Sequence, residues 1–435
     1  MPQAASPVQV LTGSPAVRLE IHHININNGD ASVIRVLYKD GSEAKVLIDG
    51  GQTNYSELLL PYMKARFSNT QFDYTILTHY HNDHYKGLLG LGTGDIRSSQ
   101  YTDLGGYSMR PYVSAPNLAN VQPRDTTNPW ATEGIFDGTM DDYVTAIGKA
   151  ADMFGLKRFQ PINKPTDKVS EMVGVMMPLG SFEEGTKKVP INFRCVAAWG
   201  FTQDNGKVTD NWNRGASKND PSLGFVLECG EFRYFFGGDM GGSTAGSYID
   251  QETTLAAGFQ YLYKGAKSYF KPAAAYDGHM CGFKANHHGS DHSNNSTFLS
   301  TMRPAVCVTS AGDNSGWHLP SVGFINRLNA TQPITLPADL TAPNQSAQGF
   351  FFTNLYDFAQ GESLTRATTL FGTRNRTAFS YGSLGTSQEK AGYIVTAYLG
   401  EGVVPYSTAS AFTVQAVENN YTISTVSSTF FCHKK

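Results

Sequence analysis

Apolar and polar residues alternate with a period of two over residues 17–26 and again over 31–38, and both runs are rich in β-branched side chains. That pattern predicts two strands, joined by the turn residues Asn27-Asn28-Gly29-Asp30. Residues 45–48 complete a meander that closes on Asp49-Gly50-Gly51. Asn54 and Glu57 are placed to cap a helix over 55–66, which Pro61 would kink. The apolar run 72–77 predicts a buried strand. Residues 191–198, 222–230 and 232–236 predict a second set of strands, closing on Gly237-Gly238-Asp239. The same plan thus occurs twice: paired strands, then an aspartate among glycines. His22 and His23 are neighbours within the first strand and face opposite sides, so at most one is expected to meet a core, and both read as structural.

Helical spacing covers 140–156, with Val144, Ile147, Ala150, Ala151 and Phe154 on one side, and a second helix is predicted over 250–267. Short strands are predicted at 282–286 and 305–310, with a helical turn at 298–302. Beyond 325 the chain is rich in Thr, Asn, Ala and Gly, with strand patterns at 350–352, 393–399, 412–417 and 421–423. The expected organisation is a loose lead-in over 1–16, an α/β domain over 17–324 with an insert at about 93–202, and a β-rich C-terminal extension over 325–435. The insert directly follows the chemistry-bearing loop, where it either covers a site or extends the scaffold.

Aromatic residues make up 12% of the chain and charged residues 16%, enough apolar material for a large core. Net charge is −3 (34 basic against 37 acidic residues), which speaks against a broad sequence-blind nucleic-acid surface; extended nucleic acid is not the favoured partner. No apolar run reaches membrane-spanning length, and the first residues lack the pattern of a signal peptide. Five cysteines without a CxxC pair predict reduced, buried thiols in a cytoplasmic protein, Cys281 among them as core.

The stretch Thr78-His79-Tyr80-His81-Asn82-Asp83-His84 follows the apolar strand directly and carries three imidazoles and one carboxylate within six residues. His79 and His81 alternate around Tyr80, so an extended backbone points both the same way, while Asp83 and His84 follow after the chain has begun to turn. Imidazole and carboxylate are donors that zinc and similar cations accept. Two pairs offset by a turn suit two cations a few Å apart.

These residues resemble the HxHxDH signature of the metallo-β-lactamase superfamily. Gly237-Gly238-Asp239 resembles its bridging aspartate, and His287-His288-Gly289-Ser290 its late histidine motif. Gly312 to Pro320, with Asn314 and His318, is similar to its closing Asn…His-Pro element. The HHGS form is most similar to the hydrolase domain of the competence protein ComEC and its soluble relatives. The resemblance implies a four-layer αββα sandwich and two divalent metal ions, zinc first and manganese as competitor. One metal would take His79 and His81; the other would take Asp83, His84 and a late histidine. His287 is preferred for that last place, with His288 as fallback, and Asp239 would bridge both ions. The superfamily's further histidine at the first metal has no counterpart here, because no histidine lies between His84 and His279. An oxygen of Asn219 or Asp220, or water, would fill in. Asp49 is either a turn aspartate or a support behind the ligands. His292 reads as a surface residue.

The implied activity is hydrolysis by a hydroxide held between the two metals, oriented by Asp83, most consistent with phosphodiester or phosphoester bonds of a nucleotide or small molecule. His318 would contact a phosphoryl oxygen or protonate the leaving group; its plain alternative is a loop histidine beside Trp317. A second reading is hydrolysis of a lactone, lactam or carboxylic ester, and a third is a metal-stabilised binding protein without catalysis.

Overall fold

The structure, a computed structural model, describes residues 13–103, 140–158, 172–184, 186–211, 217, 219–265, 277–311, 319–331, 349–353, 378–379, 391–398 and 411–431. The first half contributes strands β1 (Ala16–Ile24), β2 (Ser32–Tyr38), β3 (Glu43–Ile48), β4 (Gln71–Ile76), β5 (Arg97–Thr102) and β6 (Lys157–Arg158). The second contributes β7 (Met176–Glu184), β8 (Lys187–Ala198), β9 (Phe201–Gln203), β10 (Val208–Asp210), β11 (Gly224–Cys229), β12 (Phe232–Phe236), β13 (Gly282–Lys284) and β14 (Val306–Thr309). The C-terminal stretch adds β15 (Gly349–Phe352), β16 (Ala378–Phe379), β17 (Gly392–Tyr398), β18 (Ala411–Val417) and β19 (Ile423–Phe431). The helices are α1 (Leu59–Arg66), α2 (Asn82–Tyr85), α3 (Met140–Phe154), α4 (Glu252–Leu262), α5 (Ser296–Met302) and α6 (Val322–Thr331).

Pairing follows one plan twice. β1, β2 and β3 form an antiparallel meander, and β4, β5 and β6 then continue in parallel. β7, β8, β11 and β12 form the second meander, and β13 to β16 continue it in parallel. A single parallel bridge, Ala16 to Phe182, links the two ladders. In each half the parallel strands end on the same edge, so the loops after β3, β4, β12 and β13 share one rim. That is where open α/β sheets place ligands.

Alternation along the strands sorts side chains into layers. On β11 and β12, Phe225, Leu227, Tyr234 and Phe236 join one core, whereas Val226 and Phe235 join another with Leu255, Phe259, Phe298, Leu299 and Phe324 from α4, α5 and α6. Strands apolar on both faces must be covered on both faces. Phe235 has no exposed surface and meets the rings of Phe259 and Phe298 edge-on at 5.4 Å each; truncating such a side chain costs roughly 3–5 kcal/mol. His22 and His23 report the same layering. Both are fully buried, against the expectation that only one would be. His22 turns outward to Tyr62 of α1, with Nδ1 3.0 Å from the hydroxyl. His23 turns inward and crosses the gap to β12, with Nε2 2.8 Å from the Tyr234 hydroxyl. The result is a mixed α/β fold with large central sheets between helical layers.

Several other expectations shift. α1 begins at Leu59 rather than near Tyr55, which puts Pro61 in its first turn, where backbone N–H groups have no partner within the helix. Within 93–202, β5, β7 and β8 are members of the ladders. Beyond 325, β15 pairs with β14, and β17 pairs with β1 from Arg18↔Tyr398 to Ile24↔Gly392. Cys195, Cys229 and Cys307 are free and buried, but Cys281 is disulfide-bonded. The expectation of reduced thiols therefore fails at Cys281, since an odd count without close spacing carries no sign of a bridge. Cys432 lies outside the described residues. No helix among the described residues is long and apolar enough to cross a membrane.

Candidate metal centre

Two glycines let the rim close. Gly29 holds φ at +93°, and a Cβ there would sit 1.7 Å from the carbonyl oxygen of Asp83. The Asp30 N–H donates to that same oxygen at 3.1 Å, pinning the histidine-bearing loop to the β1–β2 turn. Gly238 holds φ at +56°, and a Cβ there would meet the Thr78 Cβ at 2.8 Å. The loop after β12 thereby reaches the loop after β4, and Asp239 arrives among the histidines. Its N–H is held by the Ser222 hydroxyl at 3.0 Å.

Four imidazoles converge on one carboxylate oxygen. Asp239 Oδ2 lies 3.3 Å from His84 Nε2, 3.3 Å from His288 Nε2, 3.7 Å from His79 Nε2 and 4.0 Å from His287 Nε2. Asp83 flanks them, with Oδ2 3.2 Å from His288 Nε2 and Oδ1 4.0 Å from His84 Nε2. His79 and His81 stand together, ring centroids 4.7 Å apart. Donor atoms gather in two overlapping groups: His79, His81 and Asp239, and Asp30, His84, Asp239 and His288.

Both late histidines stand beside Asp239, His288 Nε2 at 3.3 Å and His287 Nε2 at 4.0 Å. His287 and His288 both have left-handed backbones, φ 48° and 52°. This turns the chain so that His288, the fallback, faces Asp83 and Asp239. Its Nδ1–H donates to the Ser310 carbonyl at 2.9 Å, which turns Nε2 toward Asp83 and Asp239. His287 stands further out, with Nε2 3.1 Å from Asn219 Nδ2. Asn219 is thus beside the cluster, its Oδ1 buried without a hydrogen-bond partner. Asp220 faces away, its Oδ2 accepting the N–H groups of Ser217 and Ile249 at 3.1 Å each. His318, Asn314 and Trp317 lie outside the described residues. His292, expected at the surface, is half-buried and stacks on Tyr248 at 4.2 Å, and the Tyr248 ring centroid lies 5.9 Å from that of His287.

Behind the donors lies a second set of contacts that fixes them. Asp49, itself at φ 57°, accepts the Thr78 N–H at 2.7 Å and the Thr78 hydroxyl at 2.8 Å, and its Oδ2 is 2.8 Å from His84 Nδ1. Both His84 nitrogens are thereby assigned: Nδ1 to Asp49, Nε2 to the centre. Asp30 Oδ1 lies 3.3 Å from His288 Nδ1, and its other oxygen contacts the Lys284 ammonium. Asp30, a member of the second donor group, thus also reaches the rear edge of His288. Burial drags the Lys284 ammonium far below the lysine range, against a smaller raising effect of Cys307; the Asp30 carboxylate in contact also favours the charged form. Glu252, fully buried, accepts from Asn286 Nδ2 at 2.7 Å and from the N–H groups of Asn294 and Asn295 at 2.6 Å each, clamping the His287–His288 loop. Arg327 of α6 donates to the carbonyls of Ser293 and Asn294 at 2.9 and 3.0 Å on the far side of that loop.

Electrostatically the cluster calls for positive charge. Burial disfavours an imidazolium at His84 and His288, yet Asp239, Asp49 and Asp83 around His84, and Asp239 and Asp83 around His288, push both up to about 10. Burial would raise Asp83 and Asp239, but the same imidazoles hold both below the usual carboxylate range. His79 falls well below its ordinary value through burial and the neighbouring His84. The buried Nε2 of His79 and Oδ1 of Asp239 have no hydrogen-bond partner, and the Nε2 atoms of His84 and His288 face carboxylate oxygens at 3.2 to 3.3 Å. Unpaired buried donors and acceptors that converge are costly unless something meets them. Divalent cations fit this nitrogen and oxygen set.

Asp30, Lys284, Ser222, Glu252, Ser310 and Tyr248 had no assigned role from sequence. Lys284 carried a signal, as the one charge in an apolar strand; Glu252 carried none.

Residues 26–93 match the family model of the metallo-beta-lactamase superfamily. That segment holds Asp30, Asp49 and the whole His79–His84 loop, and the layered fold is consistent with that superfamily's sandwich. Among solved structures the chain is similar to Zn2+-bound PqqB from Methylobacterium extorquens, at 12% identity and TM-score 0.31, covering 66% of this chain and 88% of that one. It is also similar to a long form RNase Z from yeast, at 10% identity and TM-score 0.34, covering 81% of this chain and 43% of that one. The chain thus spans under half the length of the yeast protein. No curated protein matches it.

Proposed function

We propose that this protein is a metal-dependent hydrolase with two divalent cations at the rim, acting on phosphodiester or phosphoester bonds. The observation that carries the reading is the convergence of His79, His84 and His288 Nε2 on Asp239 Oδ2 at 3.3 to 3.7 Å. One cation would be held by His79, His81 and Asp239, with the Asn219 amide oxygen beside them. The other would be held by Asp83, His84, Asp239 and His288. Cations held there would supply Lewis acidity toward the bond under attack and lower the pKa of water. Four imidazoles in the two sets favour zinc; the carboxylates and the Asn219 oxygen leave manganese as the competitor.

The chain's own residues supply the rest. Asp83, the more exposed carboxylate of the cluster, orients the attacking water. Asp49 and Ser310 hold two imidazoles in the tautomer that presents Nε2. His287, Asn219 and Tyr248 form the wall a substrate meets, and His318 is assigned to the leaving group or a phosphoryl oxygen. The preference for phosphoryl chemistry, and for a ComEC-like relative, rests on the HHGS sequence. The net charge of −3 favours a nucleotide or small molecule over extended nucleic acid.

The test is hydrolysis of bis-p-nitrophenyl phosphate beside a panel of lactones, lactams and aryl esters, with zinc or manganese and with chelator. Diester cleavage abolished by chelator and by Asp83→Asn supports the reading. Turnover of the acyl panel alone moves the protein to acyl hydrolysis. Silence on every substrate with cations bound would leave a metal-stabilised binding protein.

A further inference from the structure

Lys284 and Asp30 come from opposite halves of the chain, 254 residues apart, and meet as a buried ion pair. Asp30 stands at the end of the β1–β2 turn and Lys284 at the end of β13. Neither side chain is more than 5% exposed. A buried ion pair is expensive to assemble and needs further partners. Here the partners are the rear edges of two imidazoles. Asp30 Oδ1 is 3.3 Å from His288 Nδ1, and Oδ2 is 4.0 Å from His84 Nδ1. Lys284 Nζ also lies 3.5 Å from the carbonyl of Gly238, the residue that delivers Asp239. One ammonium therefore touches the group behind His84 and His288 and the backbone that carries the bridging carboxylate.

The charges around the cluster make the same point. Asp30, Asp49, Asp83 and Asp239 put four carboxylates within it, and Lys284 is the amino group in ion-pair contact with one of them. Lys284 holds the Asp30 carboxylate against the rear edge of His288. His84 belongs to the first half and His288 to the second, so a cation shared by them requires the two halves to hold a fixed spacing.

We propose that Lys284, acting through Asp30, is a positioning residue of the cation site, tying the two halves together at the rear edges of His84 and His288. This rests on the metal reading above. It goes beyond it by assigning cation affinity to a side chain that does not bind the cation.

The experiment measures zinc and manganese affinity and stoichiometry by competition with a chromophoric chelator, on the full chain, for wild type, Lys284→Met, Asp30→Asn and the double variant. Far-ultraviolet circular dichroism and thermal melting in chelator accompany each. The expected result is two cations per wild-type chain and a loss of about ten- to a hundredfold in affinity for each single variant, the range typical of groups that support metal ligands. The double variant should lose no more than the worse single, because the two act as a unit. If Lys284→Met does not fold, Asp30→Asn, which keeps the side-chain shape and leaves an unpaired ammonium, carries the comparison. Wild-type affinity in both folded single variants overturns the inference and leaves the metal reading intact. Failure of the wild-type chain to bind either cation overturns both.

Discussion

Asp49 Oδ2 and His84 Nδ1 lie 2.8 Å apart at the base of the cluster, both side chains almost completely buried. The carboxylate reaches this point because Asp49 takes a left-handed turn directly after β3, and it is held there by the N–H and hydroxyl of Thr78.

Asparagine tolerates a left-handed backbone and retains an acceptor, so Asp49→Asn removes the charge while leaving the turn. The expected effect is a loss of roughly ten- to a hundredfold in cation affinity with little change in fold. Chelator competition measures the first and circular dichroism the second. Unchanged affinity would reduce Asp49 to a turn residue.

The two late histidines are expected to differ in their effect on the number of cations retained. His288→Ala removes an Nε2 that faces both Asp83 and Asp239, at 3.2 and 3.3 Å. It should reduce zinc retained after dialysis from two per chain to about one, counted by mass spectrometry. His287→Ala removes a nitrogen 4.0 Å from Asp239 that is engaged with Asn219, and should leave the count at two while lowering turnover. The opposite pattern would return the inner place to His287.

His23 makes a prediction about acid stability. Burial is the main cause that pulls its pKa down to about 3 from an ordinary 6.5, with Lys284 and His22 adding to it. The fold therefore holds His23 neutral, while the unfolded chain takes a proton there below about pH 6.5. Its contribution is fully present above that pH and is lost as pH falls toward 3. Between pH 6.5 and 4.5 that is roughly 2–3 kcal/mol. Urea unfolding in chelator at both pH values should show His23→Leu losing less stability on acidification than wild type by about that amount. Equal losses would mean that His23 takes up its proton without unfolding the chain.

What could be read from the sequence divides by distance along the chain. His79, His81, Asp83 and His84 were legible because they lie on one turn, and Asp239 because glycines and a strand end announce it. The order of His287 and His288 was not, since it depends on two consecutive left-handed residues that no local preference signals. His22 and His23 misled for a related reason: alternation tells which faces a strand has, not how many of them are covered. The capping pattern of Asn54 and Glu57 points to a helix start earlier than the one α1 takes at Leu59. Asp30, Lys284 and Glu252 act on residues far from them in sequence. A lone charge in a strand, or a glutamate opening a helix, has many uses until the fold decides which groups it meets.

The pairing of β17 with β1 reaches past architecture. Seven register pairs, Arg18 to Ile24 against Gly392 to Tyr398, occupy the side of β1 that β2 leaves open. A chain cut short before residue 391 would bare that row of amides and carbonyls on a strand full of buried side chains, an adhesive border that recruits strands from other molecules. Truncation before residue 391 should therefore show itself as turbidity in solution.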